Sequence, residues 1–254
     1  MKNHWEMDTA LIHHLRHGVK RSGPLVEPII PAVAYAFPDS DTAAKVVSGI
    51  KEGVYYGRYG NPTLFTLEEK IASLEGGEAA LGVSSGMAAI STALMAFLSQ
   101  GDHVVISKDL YGGTYNFLIN IADRYGIEYD FVDCQRLDEI ESRITSNTKA
   151  IYIETPSNPL LTILDIQKIA EISTKYQIPL IVDNTFMSPY LQNPLELGAD
   201  IVIHSATKYL NGHGDVIAGF VVGKSEMITF MRKKIMGDLG QVLSSWDAFL
   251  ILRG

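Results

Sequence analysis

The 254-residue sequence contains a single cysteine, Cys134, so no internal disulfide can form and a reducing compartment is its natural setting. Basic residues are also scarce. Lys and Arg number 21 against 29 Asp and Glu, for a formal net charge of −8. No basic cluster exceeds Arg232-Lys233-Lys234, which falls in a helical pattern and reads as a solvated face. A nucleic-acid partner is therefore not expected, because phosphate backbones are held by basic surfaces. Long apolar runs are missing too. The longest, Ala79 to Leu98, is interrupted by Ser84, Ser85, Ser91 and Thr92 and divides into strand, turn and helix instead of a membrane span. The start of the chain lacks the basic-then-apolar pattern of a secretory signal. No Gly-x-Gly-x-x-Gly or Walker-type loop follows the first strand, which argues against a nucleotide-binding domain. His13, His14 and His17 have near-helical spacing, but no carboxylate or cysteine joins them at ligand spacing, so no metal site is expected. These absences describe a soluble, cytoplasmic protein with neither membrane nor nucleic-acid partner.

From about residue 79 onward, short apolar strands alternate with amphipathic helices. The strands are predicted at Ala80–Ser84, His103–Ser107, Glu128–Val132, Ala150–Glu154, Leu180–Asp183, Ile201–His204 and Ile217–Val222. Helical patterns lie at Met87–Leu98, Thr114–Tyr125, Leu137–Ile144 and Ile166–Tyr176. Such alternation implies an α/β domain with a mostly parallel sheet, whose sites gather at the carboxyl edges of the strands. Residues 1–60 differ. They are rich in Pro and Gly with little sustained periodicity, and read as an extended arm contacting a neighbouring subunit. Aromatics at Tyr35, Phe37, Tyr55, Tyr56 and Tyr59 argue against a disordered tail. The chain stops within an amphipathic stretch, Trp246 to Gly254, which leads us to expect a longer natural protein.

The richest local segment is Asp200-Ile-Val-Ile-His-Ser-Ala-Thr-Lys-Tyr-Leu-Asn-Gly-His-Gly214. An apolar strand runs to His204, itself read as a core histidine, and small polar residues and Lys208 follow. Desolvation at a buried strand end would depress the lysine pKa and favour imine formation. Ser205 and Thr207 offer hydroxyls to a phosphate. The plainer reading is a surface lysine opening a loop. Asp183 ends the preceding strand and should share the edge with Lys208, although it could merely cap the following turn. A lysine for a Schiff base and a carboxylate that keeps a pyridine nitrogen protonated are the two groups that pyridoxal 5'-phosphate (PLP) requires. Independently, Ser84-Ser85-Gly86-Met87 joins a strand to a helix N-terminus, a pattern able to cradle an anion. Tyr111, in a loop after a strand, could stack on a planar cofactor. Tyr56 and Arg58 place a phenol and a guanidinium two residues apart, suited to clamping a phosphate. Cys134 has Asp133 beside it, which raises a thiol pKa and argues against a nucleophile.

Several segments together resemble the Cys/Met-metabolism PLP-dependent enzymes of fold type I. These include cystathionine γ-synthases, cystathionine lyases, methionine γ-lyases and O-acetylhomoserine sulfhydrylases. The resemblance rests on the Asp200–Gly214 segment and on Tyr56 to Thr63, Ser85-Gly-Met87, Leu110-Tyr-Gly112, Glu154-Thr-Pro-Ser-Asn-Pro159 and Asp183-Asn-Thr-Phe186. It implies a mostly parallel seven-stranded sheet with helices on both faces. Residues 61–254 would form the large PLP-binding domain, and the family's small C-terminal domain, with its substrate-carboxylate arginine, would be absent from this chain. The resemblance further implies that Lys208 carries the cofactor as a Schiff base and then moves protons. Asp183 would pair with the pyridine nitrogen and Asn158 with the phenolic oxygen. Ser85, Gly86, Met87, Ser205 and Thr207 would hold the phosphate, which Tyr56 and Arg58 reach from the neighbouring subunit of a dimer-of-dimers tetramer. Tyr111 would stack on the ring and assist at the substrate's γ-substituent. The implied activity is a carbon–sulfur lyase performing γ-elimination on cystathionine-, homocysteine- or methionine-like amino acids. Alternatives are a γ-replacing cystathionine γ-synthase or O-acetylhomoserine sulfhydrylase, or a catalytically silent PLP-binding subunit. Two local departures stand out. Gly57 lies where a serine is common, and Gly113 lies where methionine γ-lyases usually carry cysteine, which leans away from that member.

Overall fold

A computed structural model describes residues 7–13 and 26–254. Seven strands form one sheet: β1 (Ala79–Val83), β2 (His103–Ser107), β3 (Glu128–Val132), β4 (Thr148–Glu154), β5 (Leu180–Asp183), β6 (Ile201–Ser205) and β7 (Gly219–Gly223). Their spatial order is β1-β7-β6-β5-β4-β2-β3. Strand β7 is antiparallel to both of its neighbours, and every other pairing is parallel. Strands β1 to β6 therefore all point the same way, and their carboxyl ends share one edge. The expected mostly parallel seven-stranded sheet is what forms. The last strand starts at Gly219 instead of Ile217. A Cβ at Gly219 would lie 2.2 Å from the Ser85 carbonyl oxygen, so only a glycine lets the strand pass the β1 loop this closely.

The helices are α1 (Met7–His13), α2 (Ser40–Val47), α3 (Pro62–Glu75), α4 (Gly86–Phe97), α5 (Gly112–Phe117), α6 (Leu137–Arg143), α7 (Ile166–Tyr176), α8 (Ser188–Leu191), α9 (Ser225–Phe230), α10 (Gly237–Leu239) and α11 (Ser245–Arg253). Helix α4 covers one face of the sheet. Its Ala88, Ala89, Ile90, Ala93 and Leu94 pack on Val83, Ile106, Tyr152, Ile181 and Ile203. The other face is covered by α3 and α11 over Val202, Phe220 and Val222, and by α6 and α7 over Ile151, Ile153 and Val182. Adjacent residues of β5 and β6 thus enter different cores. Burial on both faces explains why these strands are continuously apolar instead of alternating.

Two regions correct the sequence expectations. Helices α2 and α3 precede Met87, where none was predicted. Each carries a local start signal: Asp39 accepts from Thr42 N, Asn61 accepts from Thr63 N, and Pro62 opens α3. The surrounding Gly and Pro residues obscured both in the periodicity. Gly76 ends α3 with φ 72°, a left-handed stop natural for glycine. The single helix predicted at Thr114–Tyr125 is a composite of α5, a π-helical turn at Leu118–Ala122 and a 3-10 turn at Asp123–Tyr125. Of the residues read as an arm, 26–37 lie along their own chain. Asn61 Nδ2 donates to the Ile30 carbonyl at 2.7 Å, the Thr63 hydroxyl donates to Pro28, and Ala34 bridges Tyr56. The rest of that region before residue 26, apart from α1, lies outside the described residues, as do His14 and His17.

Candidate active site

The shared carboxyl edge collects most of the residues singled out above. The turn after β1 supplies Ser85, Gly86 and Met87, the turn after β2 supplies Tyr111, and β4 leads to Asn158. Strand β5 ends on Asp183, and β6 ends on Ser205 and passes to Thr207 and Lys208. Hydrogen bonds tie these turns together. The Thr185 hydroxyl donates to Asp183 Oδ1 at 2.5 Å and accepts from Ser205 N at 2.9 Å. Lys208 N then donates to the Ser205 carbonyl at 3.1 Å. Asp183 and Lys208 are thus fixed in one frame through Thr185, a residue whose role the sequence did not reveal.

Lys208 corrects one expectation. Its side chain is exposed, because the turn from Ser205 to Gly212 lifts it beyond the strand end.

Asp183 is buried, 5% exposed. It accepts from Thr185 N at 3.0 Å and from the Tyr152 hydroxyl at 3.3 Å, besides the Thr185 hydroxyl. Burial raises its carboxyl pKa, while the Thr185 bonds, His204 and Tyr152 oppose that rise. Its Thr185 bonds also cap the turn, so the plainer reading of Asp183 is true as well. Beside it in register stands Glu154, which the sequence reading left without a role. Glu154 Oε2 accepts from Tyr111 N at 2.6 Å and Oε1 from Asn158 N at 2.7 Å. Burial and the neighbouring Asp183 charge push this carboxyl up to about 8, against the pull of the two N–H bonds.

At the other end of the edge, α4 presents its N-terminus. The Ser85 hydroxyl is used as the cap, accepting from Ala88 N at 3.0 Å. A Cβ on Gly86 would lie 2.7 Å from Ser205 Cβ and 2.8 Å from Ser205 Oγ, so the glycine allows α4 to close against the end of β6. The Thr207 hydroxyl is engaged with Ala218, donating to its carbonyl at 3.2 Å. Tyr111 is exposed at the rim. A Cβ on Gly113 would strike both its ring, at 2.3 Å, and Met87 Sδ, at 2.8 Å, so Tyr111, Gly113 and Met87 converge.

Tyr56 and Arg58 do not join this group within the chain. The Arg58 guanidinium donates to the Gly237 carbonyl and lies over the Tyr59 and Tyr56 rings, 4.9 and 5.5 Å from their centroids. His204 is a buried core histidine whose Nε2 meets Glu75 Oε1, while its Nδ1 has no partner among the described residues. Cys134 is buried and its thiol pushed up to about 12, mainly by desolvation, which matches its reading as a non-nucleophile. No helix among the described residues is long and apolar enough to cross a membrane.

The edge can hold a planar cation against Asp183 and an anion against the N-terminus of α4. A phosphorylated, ring-protonated pyridine has that charge layout, so the residues present fit PLP. Comparison with known proteins points the same way. The L-methionine gamma-lyase of Porphyromonas gingivalis is 47% identical over 234 residues, covering 91% of this chain and 59% of that protein. The cystathionine gamma-lyase of Bacillus subtilis is 46% identical over 246 residues, covering 97% of this chain and 62% of the relative. Among solved structures, the metB protein of Corynebacterium glutamicum superposes with a TM-score of 0.90 at 38% identity, over 99% of this chain and 63% of that one. The chain thus spans about 60% of the length of these relatives. The Cys/Met metabolism PLP-dependent enzyme pattern matches residues 8–254. On that match and these identities, the chain belongs to the Cys/Met metabolism PLP-dependent enzyme family.

Proposed function

We propose that this chain carries the cofactor site of a carbon–sulfur lyase that performs γ-elimination on sulfur amino acids. The observation that carries this reading is the bipolar edge, with buried Asp183 near one end and the glycine-opened N-terminus of α4 at the other, within a family of PLP enzymes. PLP, when bound, supplies an electron sink next to the substrate's Cα.

The chain's own residues have the following parts. Asp183 holds a proton on the ring nitrogen, with Thr185 and Tyr152 fixing its orientation. Asn158 bonds the phenolic oxygen. Ser85, Gly86, Met87, Ser205 and Thr207 hold the phosphate, chiefly through backbone N–H groups at the start of α4, since the Ser85 and Thr207 hydroxyls already have partners. Lys208, exposed at the edge, would hold the cofactor covalently; once the substrate's amine displaces it, its freed Nζ would take the Cα proton and later return it. Tyr111, exposed at the rim, would stack on the ring and assist the departing γ-substituent. Overall, such a lyase would convert its substrate and one water to an oxo-acid, ammonia and a thiol.

Tyr56 and Arg58 reach the phosphate of a neighbouring copy in a homotetramer built as a dimer of dimers, with residues 1–60 as the contacting arm and 61–254 as the large domain. The cytoplasm is the matching compartment, given the lone buried thiol. The substrate lies between methionine and cystathionine, since relatives named for each stand at 47% and 46% identity. Incubating the protein with cystathionine, methionine, homocysteine and O-acyl-homoserines, followed by product identification, tests the reading. Oxo-acid with thiol supports it, and γ-replacement without elimination refutes the lyase assignment.

A further inference from the structure

Glu154 occupies an unusual position. It ends β4 beside Asp183 in the sheet register, and both carboxyl groups are buried, each residue 5% exposed. Its two oxygens are each taken by one backbone N–H, from Tyr111 at 2.6 Å and from Asn158 at 2.7 Å. Those two residues lie 47 positions apart, in the loops after β2 and β4, and both carry proposed contacts to the cofactor. One carboxylate therefore staples the two loops that frame the ring.

We propose that Glu154 is a positioning residue that couples occupancy of the Asp183 subsite by a cationic ring to the placement of Tyr111 and Asn158; this rests on the PLP reading of the site.

The chemistry runs through charge. A carboxylate can accept at both oxygens, whereas a protonated carboxyl commits one oxygen to an O–H and loses acceptor strength there. Two N–H donors at short distance thus suit the anion. Opposing it are burial and the negative charge of Asp183 across the strand pair, while Tyr152 on its own strand offers only a neutral phenol. A cation seated against Asp183 cancels that repulsion, which strengthens the anion at Glu154 and both of its N–H bonds. The coupling is reciprocal, so a tightened staple favours the seated ring by the same factor. Glu154 touches neither substrate nor cofactor in this scheme and acts through the two loops.

Amide hydrogen exchange at residue resolution tests this on the full chain, with and without PLP, for wild type, Glu154→Gln and Glu154→Asp. In wild type, PLP should slow exchange at the Tyr111 and Asn158 amides severalfold. In Glu154→Gln, which keeps the size but can accept at only one oxygen, exchange at one or both amides should rise about tenfold, the scale of a hydrogen bond to a charged group. The PLP response at that amide should vanish while the bound-cofactor absorbance persists. Glu154→Asp should restore the response at one of the two. Wild-type amides indifferent to PLP, or Glu154→Gln amides as slow and as responsive as wild type, overturn the coupling. The wild-type comparison stands alone if the variants do not fold. If wild type shows no PLP absorbance at all, the cofactor reading fails and the coupling falls with it; exchange failures with absorbance intact sink the coupling alone.

Discussion

Gly86→Ala separates the geometry of the anion end from the general stability of the fold. The added Cβ would fall 2.7 Å from Ser205 Cβ and 3.1 Å from Ser205 Cα, about 0.7 Å and 0.3 Å short of ordinary contact. Neither is the tip of a flexible side chain, so rotating the Ser205 hydroxyl away gives no relief. The start of α4 or the end of β6 must move. Such overpacking costs about 1–3 kcal/mol. The backbone itself tolerates alanine, since Gly86 is not among the glycines with positive φ. Helix propensity returns up to about 1 kcal/mol. Net stability should therefore fall by about 3 kcal/mol at most, roughly 10 °C or less in melting temperature. The displaced atoms are the ones proposed to receive the phosphate, so the misfit falls mainly on the cofactor. We expect PLP affinity to drop roughly 5- to 150-fold, the equivalent of the overpacking cost. Absorbance titration of cofactor-free protein measures the affinity, and thermal melts without PLP measure the fold. Affinity within about twofold of wild type, with the fold intact, would show that the approach of α4 to β6 does not shape a phosphate site.

Four further outcomes are expected. Borohydride reduction and peptide mapping should place PLP on Lys208, and Lys208→Ala should lose the covalent label; label on another lysine refutes the assignment. Asp183→Ala should slow Cα–H exchange of a bound amino acid at least about tenfold, or 1.4 kcal/mol, while cofactor content falls far less; a change within threefold argues against the ring-nitrogen role. Cys134, buried with its thiol held near 12, should stay unmodified by iodoacetamide at pH 8 until the protein is unfolded. Finally, the Glu154 carboxyl rises from 4.5 unfolded to about 8 folded, so its contribution is fully present below 4.5 and is lost as pH climbs through 8. The melting temperature of cofactor-free protein should fall across that window, and Glu154→Gln should flatten the fall; an unchanged slope would assign the pH dependence elsewhere.

Most strands were legible because burial on both faces makes them continuous apolar runs, the edge strand β3 with its Glu128 and Asp130 excepted, and all seven begin within two residues of expectation. Most of the edge was legible too, since Asp183, Ser205 and Lys208 follow apolar runs directly. What stayed hidden depends on contacts between elements distant in sequence. Thr185 looks like any turn residue until its hydroxyl is seen to join Asp183 to Ser205. Glu154 ends a strand as many acids do, and its partner Tyr111 is 43 positions away. Lys208 was misjudged for a related reason. Proximity to a buried strand says nothing about how far the following turn carries a long side chain outward.

Lys208 and Glu154 share one electrostatic setting. Burying an anion without a cation is expensive, and a fold that does so is unstable unless something else supplies the counter-charge. Here two carboxyls abut, and Glu75 lies deeper still, bonded to His204 and Asn184. The partners of Asp183 are neutral hydroxyls and one amide, with His204 acting on it through charge alone. A lysine buried among these groups would satisfy them permanently and would have little reason to react. Lys208 instead stands exposed above them, which leaves the acidic end of the edge open to a cation from outside the chain. At the opposite end, the N-terminus of α4 has its first turn capped by the neutral Ser85, with no acidic residue to fill its positive field. The acidic end and the positive end, joined through Thr185 and the end of β6, suit a ligand that carries both charges. That layout matches the charges of a phosphorylated, ring-protonated pyridine, beside which the exposed Lys208 is accessible for covalent chemistry.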